Sequence, residues 1–240
     1  MNSFFDALET LDQKRWRLIP LLLIILLTAL RAVQLGNGEI WLDEAFTWHY
    51  LRQPWSEVAD FVTTYDVYPP LYFLYAKVYF EIFGGAGWVL RLAGLVLEVL
   101  TLPLIYFSAW TLAPAGRRRS VGLVALVLAG LSPVMIATAL LARPYPGIYF
   151  FFTLCFAALS WIATHREVSG RSVFTASGRA AILPYLALAV GIAAMPWLHN
   201  LGMLYSLVVG IVAVLLWWFV LDRNKTIFWN LAAAAIVAAL

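Results

Sequence analysis

The residues best suited to chemistry lie close together in one stretch, GEIWLDEAFTWHYLRQPWSEVADFV at 38–62. Asp43 and Glu44 are adjacent carboxylates there, set among Trp41, Trp48 and Trp55. A carboxylate held within hydrogen-bond reach of a hydroxyl can take its proton as the oxygen attacks. Neighbours on a helix point about 100° apart, so Asp43 and Glu44 are not a shared-proton dyad. One of them can face a cavity while the other makes a structural contact. The plainer reading makes Asp43 the N-cap of a helix over about 44–51, with Glu44 favouring its positive end.

Other segments carry complementary groups. DVYPPLYF at 66–73 holds Asp66 and Tyr68, and SPVMIATALLARPYPG at 132–147 holds Arg143 and Tyr145. PWLHN at 196–200 is a tight hairpin with His199, and Lys77 is a second cation candidate. A guanidinium matches phosphate oxygens bidentately, so Arg143 can meet an anionic leaving group. Each has a structural alternative: a snorkelling Arg143, a headgroup-bound Lys77, a turn-forming Asp66, a polar turn at His199. Arg91 and Glu98 recur seven residues apart on one helix face, too far for a direct pair, so Glu98 needs a partner elsewhere. A lone cysteine, Cys155, excludes an internal disulfide framework and any Cys-based zinc site. A divalent metal stays open as a cofactor, because no ligand set of dependable spacing occurs.

The elements that position these groups follow from composition. The chain has 240 residues, 63% hydrophobic and 12% charged, and a mean hydropathy of +0.85. Soluble domains carry about 25% charge, so this is an integral membrane protein, and that much apolar surface also excludes disorder. The net charge of +3 therefore reads as a topology signal, with no nucleic-acid partner implied. Spans of roughly 20 apolar residues are expected at about 18–35, 88–112, 121–141, 145–163, 180–199 and 201–221. A seventh starts near Ile227 and is still apolar at Leu240, as though truncated. Continuous Leu, Ala, Val and Ile without alternation make these helices, not barrel strands.

The segment 69–83 decides the topology. Its 15 residues, with Lys77, Glu81 and many aromatics, suit a helix lying in the headgroup region. Lys14/Arg15/Arg17, Arg117–Arg119, Arg166/Arg171/Arg179 and Arg223/Lys225 then share one side, 11 of the 16 Lys and Arg. The positive-inside rule makes that side cytoplasmic. The expected organisation is a cytoplasmic segment 1–17, a first span 18–35 acting as an uncleaved anchor, an extracytoplasmic catalytic loop 36–87 with interfacial helices, and further spans over 88–240. The fold class is all-α, a polytopic bundle of about seven spans.

WLDEAFT after the first span, YPPLYF before a short helix, GWVLRLAGLV opening the second span and SPVMIATALLARPYP resemble the GT-C glycosyltransferases. The closest group is the bacterial branch related to protein mannosyltransferases and aminoarabinose transferases. The likeness covers about 39–200. It implies inverting transfer of a sugar from a polyprenyl-phosphate carrier, on the periplasmic side of a bacterial inner membrane, to a protein, lipid or glycan acceptor. It also implies Asp43 as the catalytic acid position and Glu44 as its partner, with Arg143, Tyr145 and His199 at family positions. The residue before the two prolines, commonly His or Lys in that group, is Tyr68 here, which supplies no positive charge at neutral pH. Two other classes remain open: a lipid or solute transporter, which would place polar groups near the midplane, and a non-catalytic module of the same fold.

Overall fold

The computed structural model describes residues 6, 9, 13–37, 39–175, 179 and 181–239. Most of the segment 1–17, the side chains of Lys14 and Arg15, and Leu240 at the end of the expected seventh span lie outside the described residues. Every regular element among the described residues is helical. Helix α1 is Gln13–Ala32. Three short helices follow, α2 (Leu42–Leu51), α3 (Trp55–Tyr65) and α4 (Leu71–Phe83). The longest helix, α5 (Gly87–Leu112), leads through a 3₁₀ turn at Ala115–Arg117 into α6 (Arg118–Gly130) and α7 (Pro133–Ala139). Then come α8 (Tyr145–Thr164), the single turn α9 (Arg166–Ser169), α10 (Ile182–Leu198), α11 (Gly202–Phe219) and α12 (Lys225–Ala239).

Three helices, α5, α8 and α11, are long and apolar enough to cross a membrane, and the bent pair α6–α7 makes four when taken as one span. The stretch expected as one straight span over 121–141 is broken by 58° between α6 and α7. Two local causes act together. Ser132 Oγ caps α7 by accepting the Met135 N–H at 3.5 Å, and Pro133 has no N–H to continue the α6 ladder. Helices α10 and α12 are shorter than a full span, at 17 and 15 residues. Helix α4 has 13 residues, about 20 Å at 1.5 Å per residue, well short of the roughly 30 Å hydrocarbon core.

Helix α5 is the axis of the molecule. It packs against α1, α4, α6, α7 and α8, while α8 in turn packs against α10 and α11. One hydrophobic cluster runs from Tyr50, Val58, Val62 and Phe73 on the short helices, through Leu90 and Ala93 of α5, to Cys155, Leu159 and Leu188. The short helices are thus continuous with the bundle core. A smaller cluster of Leu27, Leu102 and Leu126 joins α1, α5 and α6. The turn from α4 into α5 is made by Gly84 at φ 84°, a left-handed conformation that glycine adopts without a Cβ clash.

Candidate functional site

Helix α2 begins two residues earlier than expected, and its N-cap position is Trp41 rather than Asp43. Asp43 is therefore inside the first turn and Glu44 is the third helical residue. There Glu44 Oε2 accepts the Trp41 N–H at 3.3 Å, the reciprocal contact of a capping box. The same carboxylate receives Arg91 from α5, with Nε to Oε1 at 2.9 Å and Nη2 to Oε2 at 2.8 Å. The Ala142 N–H, on the segment after α7, adds a fourth bond to Oε1 at 3.1 Å. Arg91 uses its remaining donors on the carbonyls of Leu35, Asn37 and Glu39, at 3.2, 2.7 and 3.1 Å. All five guanidinium N–H groups are thereby occupied.

Glu44 is 1% exposed. Burial pushes its carboxyl up, but the Arg91 guanidinium and the Ala142 and Trp41 N–H groups outweigh burial and hold it below the ordinary carboxylate range. Its lone pairs are committed, so its work is to pin the 35–44 loop and the 140–144 segment onto α5. Thr47 reinforces that pin by donating to the Ala142 carbonyl at 2.9 Å.

Asp43 diverges from Glu44 by about 100° around the helix, although both residues, with Arg91, border one cavity. The Asp43 side chain is 66% exposed and meets Arg143 Nη2 at 3.3 Å through Oδ1. The Arg143 side chain is only 7% exposed, and its Nη1 meets Asp66 Oδ2 at 3.0 Å. Its guanidinium carbon also lies 5.1 Å from the centre of the Tyr68 ring, a cation–π distance. Burial disfavours the Arg143 charge, yet the two carboxylates outweigh it and raise the pKa. One buried cation thus joins an open carboxylate to a closed one.

An aromatic group closes this end. The Tyr68 and Tyr145 hydroxyls are 3.1 Å apart, and the His199 ring lies 4.6 Å from Tyr68 and 5.5 Å from Tyr145, centre to centre. Burial and the Tyr145 hydroxyl push Tyr68 up to about 12, so its phenol stays neutral. His199 Nδ1 accepts the Leu201 N–H at 3.0 Å, which places any single ring proton on Nε2. Burial lowers the His199 pKa and favours that neutral ring. The Asn200 amide donates to the Val67 carbonyl and ties the hairpin to the 66–68 turn.

Asp43, Arg143 and Tyr145 open onto a cavity of about 510 Å³. Its polar wall also includes Gln34, Asn37 and Glu39, and its apolar wall is Ala137, Leu140 and Leu141. Trp41 stands at the rim, 71% exposed. Lys77 is elsewhere. It is 3% exposed and donates to the Leu51 carbonyl at the end of α2 at 2.8 Å. Glu81 pairs with it, and the Trp55 and Phe80 rings enclose it at 5.8 and 5.7 Å. It closes a helix end and is not a cavity cation.

Of the residues expected at the site, Asp43, Asp66, Tyr68, Arg143, Tyr145 and His199 form one contact chain, Glu44 supports it, and Lys77 is separate. Thr47 and the Ala142 amide were not foreseen; no residue type marks a backbone N–H as a future partner. Among the described residues no group of three or more His, Cys, Asp or Glu is placed to hold a metal ion. The surface around the short helices is acidic, with Glu39, Asp43, Glu57, Asp60 and Glu81 exposed against Arg52. No protein-family model, curated protein or solved structure matches the chain.

Proposed function

We propose that this chain is a membrane glycosyltransferase of the GT-C kind, transferring a sugar from a polyprenyl-phosphate donor with Asp43 as general base. The observation that carries this reading is the division between two neighbouring acids. Glu44 is saturated by Arg91 and backbone amides, whereas Asp43 stands open on a cavity beside the buried cation Arg143. An acceptor hydroxyl bound there gives its proton to Asp43 Oδ2 as its oxygen attacks the anomeric carbon. The bond from that carbon to the phosphate oxygen breaks on the opposite face, which inverts the configuration. Arg143 meets the charge that develops on the departing phosphate, and Tyr68 and Tyr145 supply neutral hydroxyl donors next to it.

The topology supports the same reading. With α1, α5, α6–α7, α8, α10, α11 and α12 counted as seven spans and the N-terminus cytoplasmic, residues 43, 66, 143, 145 and 199 all fall on the outer side. Their mutual contacts are what that parity requires. The basic clusters then face the cytoplasm of a bacterial inner membrane, and the cavity faces the periplasm. The shortness of α4 agrees with a helix lying in the interface.

Asp43→Asn in the full chain tests the proposal. Trp41, not Asp43, occupies the N-cap position of α2, so the amide leaves the helix start intact while removing the proton acceptor. Turnover with a polyprenyl-phosphate sugar should fall by about a hundredfold or more in a protein that still folds, with Asp66 continuing to hold Arg143. A folded Asp43→Asn protein with wild-type turnover sinks the assignment.

A further inference from the structure

Two buried charges lie outside the site and are used by none of its chemistry. Arg31, in the last turn of α1, and Glu98, in the middle of α5, are both 0% exposed. Arg31 Nη1 donates to the Leu27 carbonyl at 2.9 Å, and Nη2 donates to the Gly130 carbonyl at 2.8 Å. Glu98 Oε1 stands 3.9 Å from Arg31 Nη2. Neither oxygen of Glu98 has a hydrogen-bond partner among the described residues, and Arg31 Nε has none either.

Gly130 is the residue at which α6 stops. In an unbroken helix its carbonyl would accept the N–H four residues on, but the break before Pro133 leaves it without that partner. In a membrane such a carbonyl must be satisfied from within the protein, and Arg31 is the group that reaches it. The approach is close, because a Cβ on Gly130 would collide with the Leu27 side chain. Arg91, Gly94 and Glu98 share one face of α5, at i, i+3 and i+7. Arg91 holds Glu44 and, through it, the Ala142 amide. A Cβ on Gly94 would lie 3.2 Å from the Leu141 carbonyl and 3.3 Å from the Ala139 carbonyl. Glu98 balances the cation that holds Gly130.

The 131–141 strap, which carries the apolar wall of the cavity, is therefore pinned at both ends: at Ala142 through Glu44 and Arg91 of α5, and at Gly130 by Arg31 of α1 with Glu98 of α5 beside it. The end at Ala142 is fully bonded, and the end at Gly130 is held by an ion pair with unused polar atoms.

We propose that Arg31 and Glu98 are positioning residues for the cavity: they hold the break between α6 and α7, and through it the wall that faces Asp43. The proposal rests on the reading of this cavity as the reaction site, but its test does not require a substrate. Gln34, in the turn just after α1, and Ala137 on α7 line the cavity; cysteines at both carry spin labels, with the buried Cys155 left in place. The label-to-label distance distribution is read by electron paramagnetic resonance in the full chain in lipid.

The parent should give one narrow distribution, and Arg31→Lys, which keeps a charge and a donor, should stay narrow. Arg31→Met combined with Glu98→Leu removes both charges and the Gly130 bond. Its distribution should broaden or split, and turnover should fall about a hundredfold, as expected for a wall displaced by about 1 Å. A folded double variant with the parent's distribution overturns the proposal and leaves the transferase reading intact. Should that variant not fold, Glu98→Gln alone carries the test, with broadening expected and the parent's distribution overturning it. An Asp43→Asn protein of full activity would instead overturn the transferase reading and leave the distances unaffected.

Discussion

Glu44→Gln separates folding from chemistry at adjacent residues. The substitution is nearly isosteric, yet no orientation of the amide can reproduce the carboxylate. Oε1 accepts Arg91 Nε and the Ala142 N–H, and Oε2 accepts Arg91 Nη2 and the Trp41 N–H. Whichever way the amide turns, its NH₂ faces two donors, and Arg91 loses its counter-charge in a site only 1% exposed at residue 44. Removing one partner of a buried pair costs about 3–5 kcal/mol. At about 2–4 °C per kcal/mol for a chain of this size, the melting temperature should fall by roughly 6–20 °C. Thermal unfolding of the purified protein in one detergent, followed by circular dichroism, measures this. The pH dependence should have a matching sign. The folded-state pKa of Glu44 is depressed, so its contribution is present above the ordinary carboxylate pKa and lost as pH falls through the depressed folded value. The Gln variant should lack that acid-side loss. A Glu44→Gln protein that melts within about 2 °C of wild type, a shift under about 1 kcal/mol, yet has lost turnover would make Glu44 a chemical residue and refute the division between the two acids.

Three further outcomes follow from the geometry. Arg143→Lys cannot reach Asp43 and Asp66 together with a single ammonium; losing one charge-assisted bond of about 1.5–3 kcal/mol should weaken donor use about tenfold to a hundredfold in a steady-state titration of lipid donor, and unchanged kinetics would reduce Arg143 to a structural cation that only joins Asp43 to Asp66. His199 is held neutral by burial, so stability from this group is complete above 6.5 and lost as pH falls through its depressed folded value; pH-dependent melting of His199→Gln should lack this step, and retention of the full step in that variant would assign it elsewhere. Impermeant thiol labelling of Gly116→Cys and Ser56→Cys, both exposed, should report opposite sides of the membrane, with labelling from one side refuting the seven-span arrangement.

Hydropathy locates the long apolar helices α5, α8 and α11, because a run of apolar residues is a local property, but it gives no sign of the short helix α3. It also concealed the break in 121–141, since averaging over a span hides one Ser-Pro step within a uniformly apolar run. The 100° divergence of Asp43 and Glu44 was legible from helix geometry alone, but which of them would be open was not. That choice depends on Arg91, 47 residues away, and on an alanine amide whose side chain gives no signal. Glu98 was legible as needing a partner outside its own helix. The identity of that partner, Arg31, is set by the packing of α1 on α5, which apolar side chains decide. Lys77 resembled a substrate cation because composition does not reveal that the carbonyl ending α2 lies within its reach. Ser120, in the first turn of α6 beside the basic cluster, is 2% exposed, and its hydroxyl and N–H both donate to Glu9, a contact that residue type alone does not announce.

The exposed acids around the short helices have a consequence for how substrates arrive. Five carboxylates face outward there against the single Arg52, which is itself stacked over Trp48 at 4.6 Å. Two of the five are compensated, Glu81 by Lys77 and Asp43 by Arg143, which leaves Glu39, Glu57 and Asp60 against Arg52, and the surface stays acidic. The long-range field at the cavity mouth therefore attracts cations and opposes an approaching phosphate, while the favourable contact with Arg143 begins only at close range. Ionic strength acts on the first of these far more than on the second, since the Debye length is about 8 Å at 0.15 M salt and about 30 Å at 0.01 M. An anionic lipid should thus be captured faster as salt rises from the dilute range, the reverse of the usual behaviour at basic phosphate sites, and a bound divalent cation at the mouth would have the same effect at far lower concentration.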